Sequence, residues 1–461
     1  MDEKKAIEGG SDCRPEAPTT VVMNNRSQLL PVLRIPEFVV FSVSQAVSLF
    51  GDKLDYMALL AMIAYFAEVL RLDSARAISF LSVVVALPVI LFGPLAGILV
   101  DRWDRRKVMV VCDSARTVLV LLIPLVAIAT KSLYLVFTVA FGVFLFGLFF
   151  NTSRLSIIPN LVGPERVLGA NSLMNLIGRV ATLLGMFLGG LIVDWSGWLG
   201  LGIRPTWTAG FYLDALTYLV SVIALLVIFR RLAGAWHPPE KRLTVSDEAR
   251  MFLDQQSKML REVKELWQLV TREPSVFFVN CTVLAYVIMG AAVLVLYIPI
   301  IQSGRDAGGV GLGTKGVGYV AAIGSVGLVV SSMAYGIIGH RLRKHKVMLG
   351  SFLVLGLIAM ALAISRQFVW VAPLALLAGL ALSPINIGMD TLLHESVPES
   401  ARGRIFSTRE WLLHVFFAGS AFVIGQLTNF FAVRHLLFTI GATVGLASIA
   451  GFFATRGRSI G

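Results

Sequence analysis

Three charged side chains interrupt one apolar run: Asp52, Lys53 and Asp55, near the middle of residues 38–66. The two carboxyls are three residues apart and share a face of a helix, whereas Lys53 is rotated by about 100° from Asp52. At the centre of a bilayer such a charge costs on the order of 2.5–3.5 kcal/mol. These groups are therefore expected to pair or to face a hydrated cavity. A desolvated carboxyl favours its neutral form, which makes Asp52 and Asp55 the leading candidates for taking up and releasing a proton. Arg116 and Arg179 lie in similar runs and cannot shed their charge. Asp113, one turn before Arg116, offers that arginine a local partner. Arg179 has no acid at i±3 or i±4, so its partner is on another helix or is a bound anion.

The elements that must hold these groups follow from composition. The chain has 461 residues, of which 56% are hydrophobic and 15% charged, with a mean hydropathy of +0.79. Soluble chains carry about 25% charged residues, so this one belongs in a bilayer. Uncharged runs long enough to cross about 30 Å of hydrocarbon occur at 77–100, 132–153, 275–304, 316–339, 347–365, 367–389, 411–433 and 435–455. Runs with internal charges at 38–66, 108–130, 167–193 and 206–229 bring the expectation to twelve spans, six on each side of residues 230–274.

The net charge of +12 is a matter of topology. Segments on one side of the twelve spans hold 28 Lys/Arg and the opposite loops hold 8, which makes the first side cytoplasmic, with both termini on it. The basic excess therefore does not indicate nucleic-acid binding. The expected organisation is a cytosolic tail at 1–37, a six-helix bundle at 38–229, a cytoplasmic linker at 230–274, a second bundle at 275–455 and a tail at 456–461. Within 246–273, Leu260, Val263, Leu266, Trp267 and Val270 recur at helical spacing, as in a helix lying on the membrane surface. Cys13, Cys112 and Cys281 match no disulfide or metal pattern. The six histidines form no ligand set and no phosphate-gripping glycine loop is present, so neither an enzyme nor a metal or other cofactor is expected.

One basic segment occurs twice. Gly97, Asp101, Arg102, Arg105, Arg106 and Lys107 lie between two apolar runs, and a degraded copy at 336–346 has His340 in the place of the aspartate. A loop repeated half a chain later marks a duplicated architecture.

Residues 97–107 resemble the signature between helices 2 and 3 of the major facilitator superfamily, with Asp104 where that family usually has glycine. Gly51-Asp52, Ile158-Pro159, Ala170-Asn171-Ser172-Leu173, Leu213-Asp214-Ala215-Leu216 and the segments at 397–398 and 402–406 are similar to its branch of macrolide-efflux proteins and enterobactin exporters. Lysophospholipid transporters are also similar around Gly51-Asp52 and 170–195. The resemblance implies an all-α integral membrane protein with two six-helix bundles that rock between inward-open and outward-open states. It also implies that Asp101 latches the halves in the outward-open state against the N-terminus of helix 11 near 403–406, with Arg105 or Arg106 anchored by Asp113. The His340 copy would be a weaker latch. Gly185, Met186, Gly189 and Gly190 are similar to an antiporter signature, with Met186 in the place of its proline, and helix 8 would meet helix 5 through Gly324 and Gly327.

Asp214, Asp390 and Glu410 are expected near span ends, where headgroups relieve the cost of charge. The favoured reading is a monomeric bacterial inner-membrane exporter of small amphipathic drugs or metabolites, a multidrug-type antiporter driven by protons and surrounded by membrane lipid. Lysophospholipid movement between leaflets, and a transporter-like sensor or scaffold without flux, remain open beside it.

Overall fold

The computed structural model describes residues 31–231, 274–396 and 399–455, with the isolated positions 257 and 261. The surface helix expected within 246–273 lies outside the described residues apart from those two positions, and the side chains of 393–408 are likewise outside them. Twelve long helices are described: α1 Pro36–Leu70, α2 Ser74–Arg102, α3 Arg105–Thr130, α4 Leu133–Val162, α5 Val167–Val193, α6 Thr208–Arg231, α7 Pro274–Ala292, α8 Gly313–Ile338, α9 Lys344–Ile364, α10 Phe368–Ser396, α11 Glu399–Leu427 and α12 Val433–Ala454. A π turn at Val293–Tyr297 carries α7 into a short helix at Ile298–Gln302. Eleven of these are long and apolar enough to cross a membrane. The exception, α1, is the longest at 35 residues, and the charges at 52, 53 and 55 keep it out of that apolar set.

The corners are set by capping. Asp73 caps α2, accepting hydrogen bonds from the amides of Ala75 at 2.9 Å and Arg76 at 3.4 Å. Asp104 caps α3 through the Arg106 amide at 3.1 Å, so the aspartate that stands where the resembled signature has glycine satisfies a helix end. Only Trp103 and Asp104 separate α2 from α3, and the repeated segment at 336–346 turns through a single 3-10 stretch, Gly339–Arg341, into α9.

Both halves pack by one scheme. In the first, α1 lies on α5 and α6, α2 on α4, and α3 on α4 and α6; in the second, α7 lies on α11 and α12, α8 on α10, and α9 on α10 and α12. The repeat seen in two short loops is therefore a repeat of the whole packing diagram. Two seams join the halves, α2 with α11 and α5 with α8.

These seams close at the end opposite the two basic corners. There the Thr428 hydroxyl donates to Asp73 at 2.5 Å, the Lys315 amide donates to Asp194 at 2.8 Å, and Gln302 donates to the Leu60 carbonyl at 3.2 Å. Trp411 adds a bond to the Ile90 carbonyl at 2.9 Å, about halfway along α2 and α11. Toward the basic corners the surfaces are open: Asp101 is 62% exposed, Ile337 is 74% exposed, and a Cβ placed on Gly97 or Gly336 would meet nothing within 4 Å.

Glycines set the closest approaches. A Cβ on Gly190 would lie 2.8 Å from the Thr314 carbonyl oxygen and one on Gly318 would lie 2.8 Å from that of Met186, which brings α5 and α8 into backbone contact. Gly185 and Gly189 instead face Lys53, Leu54 and Met57 of α1. The expectation that Gly324 and Gly327 meet α5 is corrected: both pack on α10, at Ala375, Leu376 and Leu380, while Thr314, Lys315 and Gly318 make the α5 seam. The displaced assignment reflects distance along the helix, since the seam occupies only the first turns of α8.

At Gly379 an added Cβ would come within 1.9 Å of the Gly324 carbonyl oxygen, and backbone cannot step aside. Gly379→Ala is expected to cost about 1–3 kcal/mol and to lower the melting temperature of the purified protein. Gly350→Ala, with nothing within 4 Å, is expected to leave it unchanged or raised. Equal melting temperatures for the two variants would contradict this packing.

Candidate functional site

Three helices of the first half each present a pair of polar residues at helical spacing: Asp52 and Asp55 on α1, Asp113 and Arg116 on α3, and Asp214 and Tyr218 on α6. Spacing of three or four puts each pair on one helix face. Gly51 lets those faces meet, because a Cβ there would lie 2.0 Å from the Thr217 hydroxyl and 2.2 Å from Asp214 Oδ1. Gly210 does the same one level away, against Ala58.

Arg116 is the hub. It is 5% exposed, donates to Asp52 Oδ1 and to the Tyr218 hydroxyl, and reaches Asp113 Oδ1 at 3.3 Å. The Tyr218 hydroxyl passes the chain on by donating to Asp52 Oδ1 at 2.7 Å. The guanidinium also stacks 4.0 Å from the centre of the Tyr218 ring and 5.9 Å from that of Phe150 on α4. Gly147 gives it room, since a Cβ there would stand 3.7 Å from the guanidinium carbon. The local Asp113–Arg116 pair is present, but the bond to Asp52 on another helix joins α3 to α1.

The acids outnumber this cation. Asp55 is 2% exposed and its Oδ1 has no hydrogen-bond partner. Asp214 is fully buried; its Oδ1 accepts from Thr217 at 3.0 Å and its Oδ2 is unpartnered. Four carboxyls therefore surround one guanidinium. Lys53 and Arg179 take part in no ion pair among the described residues.

Several expectations change. Asp214 is not at a relieved span end: it lies against Gly51, deep between α1 and α6. Asp113 does not anchor Arg105, because Asp113 holds Arg116, while Arg105 pairs with Asp101 at 2.8 Å and donates to the Ser156 carbonyl at 2.9 Å. Arg106 lies over the Phe229 ring at 5.7 Å, and Arg102 closes the last turn of α2, where a cation complements the helix dipole. Arg154, counted with the cytoplasmic loops, is inside α4, which runs to Val162, and it lies within electrostatic range of Asp52 and Asp113. Asp390, 58% exposed, pairs at 2.7 Å with the buried Arg409 of α11, and Glu410 is exposed. The α11 N-terminus opposite Asp101 lies among side chains that are not described.

Sequence reasoning missed Tyr218, Arg154, Asp194 and Arg409. A signal existed for Tyr218, which follows Asp214 at i+4. None existed for Asp194, whose role depends on the turn of α8 that faces it. Gly313 there has a φ of +64°, and a side chain on it would meet Asp194 Oδ2 at 2.6 Å, so a left-handed glycine allows the carboxylate to reach the Lys315 amide. Burial holds Asp194 above the usual carboxylate range, against the opposing pull of the Lys315 and Thr314 amides and the Lys315 charge.

Comparison with known proteins places this arrangement. The Major Facilitator Superfamily model matches residues 43–409. An uncharacterised transporter of this type from Bacillus subtilis, YfiS, is 26% identical over 221 residues, which span 47% of this chain and 49% of the Bacillus protein. The enterobactin exporter EntS of Salmonella typhimurium is 26% identical over 324 residues, covering 67% of each chain. The crystal structure of the nucleoside transporter NupG has the same fold, with a TM-score of 0.66 at 12% identity, over 91% of this chain and all of that one. With its duplicated helix packing and its family match across most of its length, the chain belongs to the major facilitator superfamily and is a multi-pass membrane transporter.

Proposed function

We propose that this transporter is a proton-coupled exporter of small amphipathic compounds, working by alternating access in a bacterial inner membrane with its basic corners and both termini in the cytoplasm. The observation that carries the reading is the excess of buried carboxyls over cations where α1, α3 and α6 meet. Like charges a few ångströms apart in a medium of low dielectric cannot all ionise, so such a group holds protons and shares them. Arg116 is engaged by Asp52, and Asp55 and Asp214 are the carboxyls left to carry the transported proton. The export direction is supported by the likeness to the enterobactin exporter and by the glycines of α5.

In this reading the described form is open to the cytoplasm. Asp101, exposed beside Arg105, is a latch at rest; it engages the α11 N-terminus when the basic corners close, as a carboxylate does at a positive helix end. Asp194 ties the far end across the α5–α8 seam by accepting from the Lys315 amide, at the cost of burying its charge.

Gradient-driven flux tests the coupling. Proteoliposomes carrying an internal pH dye are given a pH gradient and then amphipathic fluorescent dyes of either charge. Wild type is expected to exchange dye for protons, while Asp55→Asn and Asp214→Asn still equilibrate dye but no longer concentrate it. Accumulation by the double Asn variant equal to that of wild type would remove the reading.

The two gates are read by spin-label distances, between 107 and 337 at the basic corners and between 201 and 430 at the far end. Asp101→Asn is expected to widen the first distribution. Opening the far end returns Asp194 to water and to its ordinary value of 3.8, so the sealed form binds a proton more tightly. Acidification through the raised value toward 3.8 therefore favours sealing, and Asp194→Asn is expected to abolish that part of the pH response. An unchanged pH response in Asp194→Asn, or an unchanged basic-corner distance in Asp101→Asn, would contradict the respective gate.

A further inference from the structure

The cations that the buried cluster does not use point to what the cleft binds. Arg179 is exposed although it lies in the middle of a membrane-spanning helix, and it forms no ion pair among the described residues. Its position on α5 settles what it faces. The α5 seam with α8 is made by Met186, Phe187 and Gly190, and at 100° per residue Arg179 lies within about 20° of Met186, two turns nearer the basic corners. The α1-facing glycines Gly185 and Gly189 lie about 60–100° to one side of Met186, and the exposed apolar Val180, Leu184 and Leu188 lie roughly 120–160° away. Arg179 thus lines the cleft just where the seam has opened.

Its neighbours on that face are polar. Asn175 and Asn171, both exposed, continue the line toward the basic corners at spacings of four, and Thr182 lies between Arg179 and the seam. Lys53 supplies a second cation nearby: its stem packs over Gly185, where an added Cβ would lie 2.7 Å from Lys53 Cβ, and it too has no ion pair among the described residues. A guanidinium in a membrane protein cannot neutralise itself by losing a proton and is stabilised by an anion with acceptor oxygens.

We propose that Arg179, with Asn175 and Asn171 and with Lys53 alongside, binds an anionic group of the substrate, so that the compounds this protein moves are amphipathic anions such as sulfonates, carboxylates or phosphates. The inference rests on the reading that the cleft is a transport path, and it adds the charge of the cargo. The division of labour follows from geometry. The carboxyls handle protons behind α1, and Arg179 of α5 with Lys53 of α1 handles the anion in front.

The test uses the full chain in nanodiscs of zwitterionic lipid, with empty nanodiscs subtracted, and two probes of similar aromatic body: anilinonaphthalene sulfonate, an anion, and phenylnaphthylamine, which is neutral. Wild type is expected to bind the sulfonate, and Arg179→Gln to bind it about tenfold more weakly, the loss typical of one charge-assisted hydrogen-bonding pair. Arg179→Lys, which keeps a cation but not the guanidinium fork, should fall between wild type and Arg179→Gln, and phenylnaphthylamine affinity should be the same in all three. Sulfonate affinity unchanged in Arg179→Gln, or equal loss of both probes, would overturn the proposal. Arg179-dependent sulfonate binding without gradient-driven flux would remove proton coupling and leave this site standing. Coupled flux of a cationic dye that ignores Arg179 would do the reverse.

Discussion

A guanidinium with almost no access to solvent, placed among carboxyls from three helices, is the constraint on which the first half depends. Arg116 cannot discharge, so α1 and α6 must bring it acceptors, and they do so through Asp52 and Tyr218. That requirement fixes the register of α3 against both helices. It also explains why Gly51 stands where α1 meets α6: a larger residue would push Asp214 and Thr217 away and open the cluster. Each carboxyl beyond the first two raises the electrostatic cost of ionising the whole cluster.

The second half repeats the packing without the charge. The counterparts of α1, α3 and α6 are α7, α9 and α12, and they meet through apolar surface, close backbone contacts such as Gly356 against Gly441 and Gly445, and a bond from the Ser448 hydroxyl to the Leu349 carbonyl. Its polar ties are scattered: Ser331 donates to the Leu380 carbonyl, Arg409 pairs with Asp390, and Arg434 donates to the carbonyls of Ala363, Ser365 and Gly308. Two bundles of the same packing scheme thus differ in their interiors: among the described residues, the carboxyl cluster around Arg116 belongs to the first alone. The difference foreshadowed by Asp101 and His340 in the repeated corner extends through the whole interior.

The membrane fold, its duplication and the two acids of α1 were legible because a helix period acts locally and an apolar run declares its own environment. Asp113 and Arg116 were legible as a pair for the same reason. What periodicity could not reveal was which helix faces which. Asp214 stands only a few residues inside α6 and so resembled a headgroup residue, yet its level is set by contact with Gly51. Arg154 followed the apolar run at 132–153 and resembled a loop residue, yet α4 continues for two more turns beyond it. Gly324 and Gly327 had the composition of a close contact, and the partner proved to be α10. Asp194 and its glycine partner Gly313 are more than a hundred residues apart, and no local rule connects them.

The central claim is that carboxyls of the Arg116 cluster hold protons when acids in water would not. Infrared difference spectroscopy of the purified protein during a pH titration reads this directly, because the carbonyl stretch of a protonated carboxyl is separate from carboxylate bands. A protonated-carboxyl band persisting at neutral pH, and diminished in both Asp55→Asn and Asp214→Asn, is the predicted result. A wild-type spectrum in which every carboxyl is ionised at neutral pH would contradict the account.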